Sequence, residues 1–171
     1  MTNDSLSDAT ITREQFREAM GLFPGAVTLI TAGEGAARRG LTATAVCSLT
    51  DSPPSLLVCV NAGTETCAAI RETGKFSVQL LSDEAEGLAL HFAGAKGARG
   101  AEKFREGAWE TCGSGLPRLG SALASIACEV TSDSLNGSHR VFIGKITDVR
   151  LAPERGALVY ARSRFHALAA E

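Results

Sequence analysis

The chain predicts a mainly β protein, an antiparallel barrel with a few peripheral helices. Three observations carry that expectation. Six or seven runs are rich in β-branched and apolar residues and are bounded by turn formers. Helical periodicity is confined to short segments. Strands and helices do not alternate as a parallel βαβ sheet requires. The 171 residues fit a single domain over residues 12–171, preceded by a flexible polar tail over residues 1–11.

The elements follow in order. "TREQFREAMGLF" places Thr12 and Gln15 at capping-box spacing, with Phe16, Met20 and Phe23 on one helical face. Pro24-Gly25 ends that helix. "AVTLITA" is a strand, and "GEGAARRG" is the turn of a hairpin leading into the alternating run "LTATAVCSLT". Asp51-Ser52-Pro53-Pro54 breaks this run, since neither proline has a backbone donor. "SLLVCVN" is nearly continuously apolar, which predicts a strand buried on both sides. "TETCAAIRETG" reads as a short helix with Thr64 as N-cap and Gly74 just past its end. In the strand "FSVQLLS", Phe76, Val78 and Leu80 share a face. A helix starts near Ser82, and the glycine-rich basic loop "GAKGARG" and a short "AEKF" turn follow. "SIACEVTSDSL", "RVFIGKITDVRL" and "ALVYARSRF" are each read as one strand.

Composition excludes several function classes. A net charge of −2 and a pI near 5.9 argue against nucleic acid as a partner, because phosphate binding needs a basic face. There is no apolar run of membrane-spanning length and no export signal. The five cysteines include no C-x-x-C pair, and the three histidines lack zinc-ligand spacing, so no metal is expected. An odd cysteine count fits a reducing cytoplasm. Gly33 and Gly35 begin a G-x-G-x-x-G pattern, but Arg38 stands in place of its third glycine and the segment precedes a strand, so the Rossmann reading fails. Leu41 likewise replaces the lysine that Walker-like spacing at Gly35 and Gly40 would need.

The most informative stretch is "GLTATAVCSLTDSPPSLLVCVN", residues 40–61. On a single strand, Thr42, Thr44 and Ser48 would share one face with only small residues between them. That makes a polar groove open to a flat ligand and its phosphate.

This block, together with "GKFSVQLLS", "HFAG", "EKF", "GSH" and the terminal "RSRFHAL", resembles the flavin reductase-like family with the FMN-binding split-barrel fold. Its members are the small reductase components of two-component flavin-dependent monooxygenases. The resemblance implies an antiparallel Greek-key split barrel. It implies that Thr42, Ala43, Thr44, Ala45, Val46, Cys47 and Ser48 lie along FMN or FAD. Asn61, Thr64 and Thr66 would receive the phosphate through amides and a helix dipole. Phe92 would pack on the ring system, with Lys96 or Arg99 as the phosphate cation. His139, in "GSH", and Arg164, Phe165 and His166 would form the nicotinamide site. Two departures stand out. Ser138 replaces the commoner threonine, and Gln79 replaces the usual asparagine, which puts a polar role at position 79 in doubt.

The implied activity is hydride transfer from NADH or NADPH to flavin. That chemistry needs two stacked rings with reacting atoms about 3–3.5 Å apart, and no strong acid or base in the hydride step. The cofactors carry it and the protein orients them. The implied partners are a flavin-dependent oxygenase component, reached by diffusible reduced flavin, and a second copy of the chain in a homodimer. A non-catalytic flavin-binding module and a pyridoxamine-phosphate-oxidase-like enzyme are the alternatives. The "GSH" and R-x-F-H patterns fit the reductases better.

Overall fold

The computed structural model describes residues 11–170. Of the tail expected over residues 1–11, residues 1–10 lie outside the described residues. Helix α1 (Arg13–Gly21) starts at the expected capping box: Gln15 N donates to Thr12 Oγ1, and Thr12 N donates to Gln15 Oε1. There follow β1 (Gly25–Ala26), β2 (Thr28–Ala32), β3 (Arg39–Ala43), β4 (Val46–Asp51) and β5 (Pro54–Asn61). Helix α2 (Glu65–Thr73) leads to β6 (Lys75–Leu80) and α3 (Glu86–Phe92). The chain finishes with β7 (Trp109–Thr111), β8 (Pro117–Leu119), β9 (Ala124–Asn136), β10 (His139–Leu151), β11 (Ala157–Ala161) and β12 (Arg164–Leu168). Among the described residues, no helix is long and apolar enough to cross a membrane.

Seven strands form one antiparallel sheet in the order β3-β2-β6-β9-β10-β5-β4. Its two edges, β3 and β4, are consecutive in sequence and joined only by Thr44 and Ala45. Three peptide steps span at most about 11 Å, so the sheet must curl until its edges nearly meet. This is the split barrel. Cys59 N donates to Ala45 O at 3.0 Å, which fixes the corner against β5. The alternating run is therefore two strands and not the one the pattern suggested. Its register breaks at Thr44–Ala45, so positions 42, 44, 46 and 48 do not share a face.

β2 is buried along its whole length because both of its faces are covered. Ile30 joins Val58, Phe76 and Phe142, with Cys67 and Ile70 of α2, in one apolar cluster. Leu29, one residue away and on the opposite face, joins Leu81, Phe92, Phe104, Leu119 and Leu158 in a second. Each fully buried side chain of this kind contributes roughly 1.5–3 kcal/mol. β6 is also covered on both faces, and its second face is polar. Thr31 Oγ1 bonds Ser77 Oγ at 2.7 Å, Ser77 Oγ donates to Pro117 O, and Gln79 Nε2 donates to the same carbonyl at 3.0 Å. Leu119 N donates to Gln79 Oε1. Gln79 therefore has a firm polar role, tying β8 to β6.

Three further expectations change. β5 alternates instead of being buried on both sides: Leu56, Val58 and Val60 face the core, and Leu57 and Cys59 are half-buried. The segment after Ser82 is a 3-10 turn over Asp83–Ala85 before α3 begins. "ALVYARSRF" is a hairpin, β11–β12, turned by Arg162 and Ser163 at φ +51° and +60°. Non-glycine residues seldom adopt that conformation, so the residue types gave no turn signal. The end of α1 supports this turn, with Arg162 N donating to Gly21 O at 2.7 Å.

Candidate functional site

The barrel corner opens onto a cavity of about 660 Å³. One wall is the run Leu41–Ala45. The others come from Val27, Asn61 and Thr64, from Leu90 and Phe92 of α3 and its C-cap Ala93, and from His139, Tyr160 and Phe165. The amides of Thr44 and Ala45 find no acceptor among the described residues. Apolar side chains beside free amides suit a heteroaromatic ring with carbonyl edges.

A second cavity, of about 480 Å³, shares Leu41, Thr64 and Lys103 with the first. It lies between the start of α2, residues Arg39–Leu41, and the loop Gly94–Gly100. Thr64 caps α2, its Oγ1 accepting from Cys67 N. The amides of Glu65 and Thr66 have no acceptor among the described residues. These amides and the helix dipole favour an anion here.

Lys103 joins the two cavities. Its Nζ donates to Phe92 O at 2.7 Å and to Gly40 O at 3.1 Å, so it braces α3 against β3. Burial lowers its pKa below the ordinary ammonium value, and the Glu65 carboxylate works in the opposite direction. Buried His91 supports the segment that carries it, with Nε2 donating to Lys103 O at 3.1 Å. Gly40 makes this packing possible: a Cβ there would stand 2.7 Å from the Phe92 ring.

Of the residues singled out in the sequence, nine meet at the first cavity: Thr42, Ala43, Thr44, Ala45, Asn61, Thr64, Phe92, His139 and Phe165. Their parts differ. Thr42 Oγ1 is committed to Ala89 O at 2.6 Å, so it holds α3 in place. Phe92 is fully buried among Phe104 and Trp109 and forms a wall more than a platform. His139 pairs with Asn61 across the β10–β5 ladder. Thr66 and Arg99 line the second cavity.

The others stand elsewhere. Val46 packs against the barrel core, and Cys47 and Ser48 are exposed on β4. Lys96 is exposed and paired with Glu106 at 3.5 Å. On β12 only Phe165 reaches the cavity, because its neighbours Arg164 and His166 point to the other side of the strand. His166 Nε2 donates to Ala161 O instead.

Lys103 and Tyr160 were not singled out. Lys103 lies within "EKF", but its role depends on two carbonyls that are distant in sequence. Tyr160 stacks edge-on with Phe165 at 5.0 Å between centroids, a pairing created by the unforeseen hairpin. Of the buried thiols, Cys128 is pushed up to about 12 by burial and stays protonated in the core.

Fold and site together define a split-barrel protein with two joined cavities, one at the barrel corner and one at the start of α2. The chain belongs to the flavin reductase like domain family, matched over residues 20–169. It is 38% identical over 154 residues to the 4-hydroxyphenylacetate 3-monooxygenase reductase component of Salmonella typhi, covering 90% of this chain and 91% of that one. It is 37% identical over 163 residues to the FMN reductase (NADH) RutF of Pseudomonas syringae, with coverages of 95% and 90%. Among solved structures, the flavin reductase PheA2 in its native state superposes with a TM-score of 0.84 at 32% identity, covering 94% of this chain and all of that one. The NADH:FAD oxidoreductase SgcE6 of Streptomyces globisporus gives 0.86 at 29% identity, with coverages of 94% and 96%.

Proposed function

We propose that residues 12–171 act as an NAD(P)H:flavin oxidoreductase that supplies reduced flavin to a separate oxygenase component. The observation that carries this reading is the pair of joined cavities, one apolar-walled with free amides and the other an anion-suited end. A bound flavin supplies the acceptor for a hydride delivered by NADH or NADPH.

The chain's own residues bind and orient. The amides of Thr44 and Ala45 would receive the ring's polar edge and favour added negative charge there. Val27, Leu41 and Leu90 exclude water from its faces. The amides of Glu65 and Thr66, with Lys103 and Arg99, hold the phosphate. His139, Tyr160 and Phe165 stand at the open side, where a nicotinamide would enter.

The test is steady-state oxidation of NADH and NADPH with FMN, FAD and riboflavin in turn. Oxidation that depends on added flavin is expected. No oxidation with any pairing would leave only a binding role.

A homodimer in the cytoplasm completes the proposal. Helix α1 buries none of its residues within the chain, and Phe16 and Met20 are 58% and 45% exposed. A second copy would cover such a stripe, over an interface of about 2,000 Å² or more for an obligate pair. All five cysteines are free, in keeping with a reducing compartment. A fully active monomer by light scattering at micromolar concentration would contradict the dimer.

A further inference from the structure

Resting on the flavin reading above, we propose that the Arg39–Glu65 ion pair sets how tightly the site holds a phosphorylated flavin. Glu65 acts against the phosphate, and Arg39 masks Glu65.

Glu65 is the first residue of α2 and lines the second cavity beside Thr66. Its Oε2 lies 3.3 Å from Nε of Arg39, the first residue of β3, which lines the same cavity. The pair closes against the loop: a Cβ on Gly100 would stand 3.6 Å from both Arg39 Cζ and Glu65 Oε2. The carboxylate therefore sits at the end of the helix where an incoming phosphate meets the free amides. A fixed negative charge there opposes the attraction that the helix N-terminus supplies.

Lys103 cannot compensate in full. An ammonium has three protons to donate, and two of those on Lys103 are committed to Phe92 O and Gly40 O. The side chains around the second cavity are then three cations, Arg39, Arg99 and Lys103, and one anion, Glu65. Removing Glu65 raises the local positive charge and frees Nε of Arg39 for the phosphate, while Nη1 keeps its bonds to Ala36 O and Arg38 O and holds the guanidinium at the cavity. Removing Arg39 leaves Glu65 unmasked. The two changes must act in opposite directions.

Flavins differ in what they feel. A terminal phosphate like that of FMN carries about −1.5 to −2 at pH 7, whereas each phosphate of FAD is a monoanion. Riboflavin has no phosphate. Glu65 therefore weighs most on FMN, less on FAD and not on riboflavin. This gives a reductase that must release its flavin a phosphate site weaker than its amides alone would make.

The experiment is fluorescence titration of FMN, FAD and riboflavin against the wild-type chain, Glu65→Gln, Arg39→Gln and the double variant, at 50 and 500 mM salt. At low salt, Glu65→Gln tightens FMN about two- to fivefold and Arg39→Gln weakens it by a similar factor, as expected for partly exposed charges. The double variant returns to within about twofold of wild type, and high salt compresses every difference. Riboflavin affinity stays constant throughout. A role confined to stabilising α2 would instead alter the melting curve and shift FMN and riboflavin together, which overturns the proposal. So does a shift of both single variants in one direction. The opposite sign of Arg39→Gln keeps the test intact if Glu65→Gln misfolds. If no flavin binds the wild-type chain, the flavin reading itself fails and takes this proposal with it.

Discussion

β3 and β4 come from one continuous stretch of small alternating residues, yet they end in opposite settings. β3 lies beside α3 and the Lys103 segment, with Gly40 fully covered by Phe92. β4 is exposed from Cys47 to Asp51. Both halves carry a leucine and a threonine among mostly small residues. What separates them is the two-residue corner that carries the chain from one sheet edge to the other. A pattern of hydroxyls therefore marks where a site begins, and the neighbours packed on each half decide where it ends.

Overpacking β3 should break this contrast most severely. Gly40→Val places a branched side chain where a single Cβ already stands 2.7 Å from Phe92 and 3.1 Å from Thr31. A loss of about 3 kcal/mol in folding stability is expected, with flavin binding lost at the same time. Chemical denaturation and flavin titration check both parts. Normal flavin affinity in a folded Gly40→Val protein would detach β3 from the site.

Lys103 offers the next largest effect. Lys103→Met removes a charged donor at the junction of the cavities, and hydrogen bonds to charged groups are worth about 1.5–3 kcal/mol. FMN and FAD affinity should fall about tenfold or more, and riboflavin affinity by less. The lowered pKa adds a signature with a definite sign. As pH rises, Lys103 loses its proton before an ordinary lysine would, so FMN affinity falls earlier in the alkaline range. That early fall should be absent in Lys103→Met. An identical pH profile in both proteins would remove Lys103 as the phosphate cation.

Thr42→Val is milder. It deletes the 2.6 Å hydrogen bond to Ala89 O while keeping the branched shape. A stability loss of about 1 kcal/mol is expected, together with a modest rise in flavin Kd as α3 loosens. If flavin affinity collapses while stability holds, the hydroxyl binds ligand directly and its bond to Ala89 is incidental.

Legibility in the sequence followed the range of the forces involved. Helix α2 was readable from end to end, because the Thr64 cap and the left-handed Gly74 (φ +66°) are local devices. The barrel class was readable from strand count and spacing. The corner at Thr44–Ala45 and the turn at Arg162–Ser163 were not, since neither contains the Gly, Pro or Asn that usually marks a break. Hidden turns then displaced the site assignments that depended on them. The first took Val46, Cys47 and Ser48 out of the cleft, and the second aimed Phe165 inward and Arg164 and His166 away. Lys103 was invisible for another reason: residues 40, 92 and 103 converge only in the folded barrel.

The smallest expected effect tests the comparison from its exposed side. If hydroxyl alternation alone defined the site, Ser48 would line the first cavity as Thr44 does. In the fold, Ser48 lies on β4, exposed and beyond the corner, with its carbonyl accepting from Cys47 Sγ at 3.1 Å. Exposed substitutions away from special features shift stability by about 0.5 kcal/mol or less. Ser48→Ala should therefore leave both flavin affinity and the melting curve close to wild type. Thr44→Val, one corner away, should weaken flavin several-fold, because it replaces the hydroxyl of a residue that lines the first cavity with a methyl group. The pair of titrations is read together. A large effect at Ser48 with none at Thr44 would mean that the ligand follows β4, and the corner would then divide the wrong halves. An effect at Ser48 that varies with protein concentration would trace instead to the second copy, since β4 is an open edge that a dimer partner can cover.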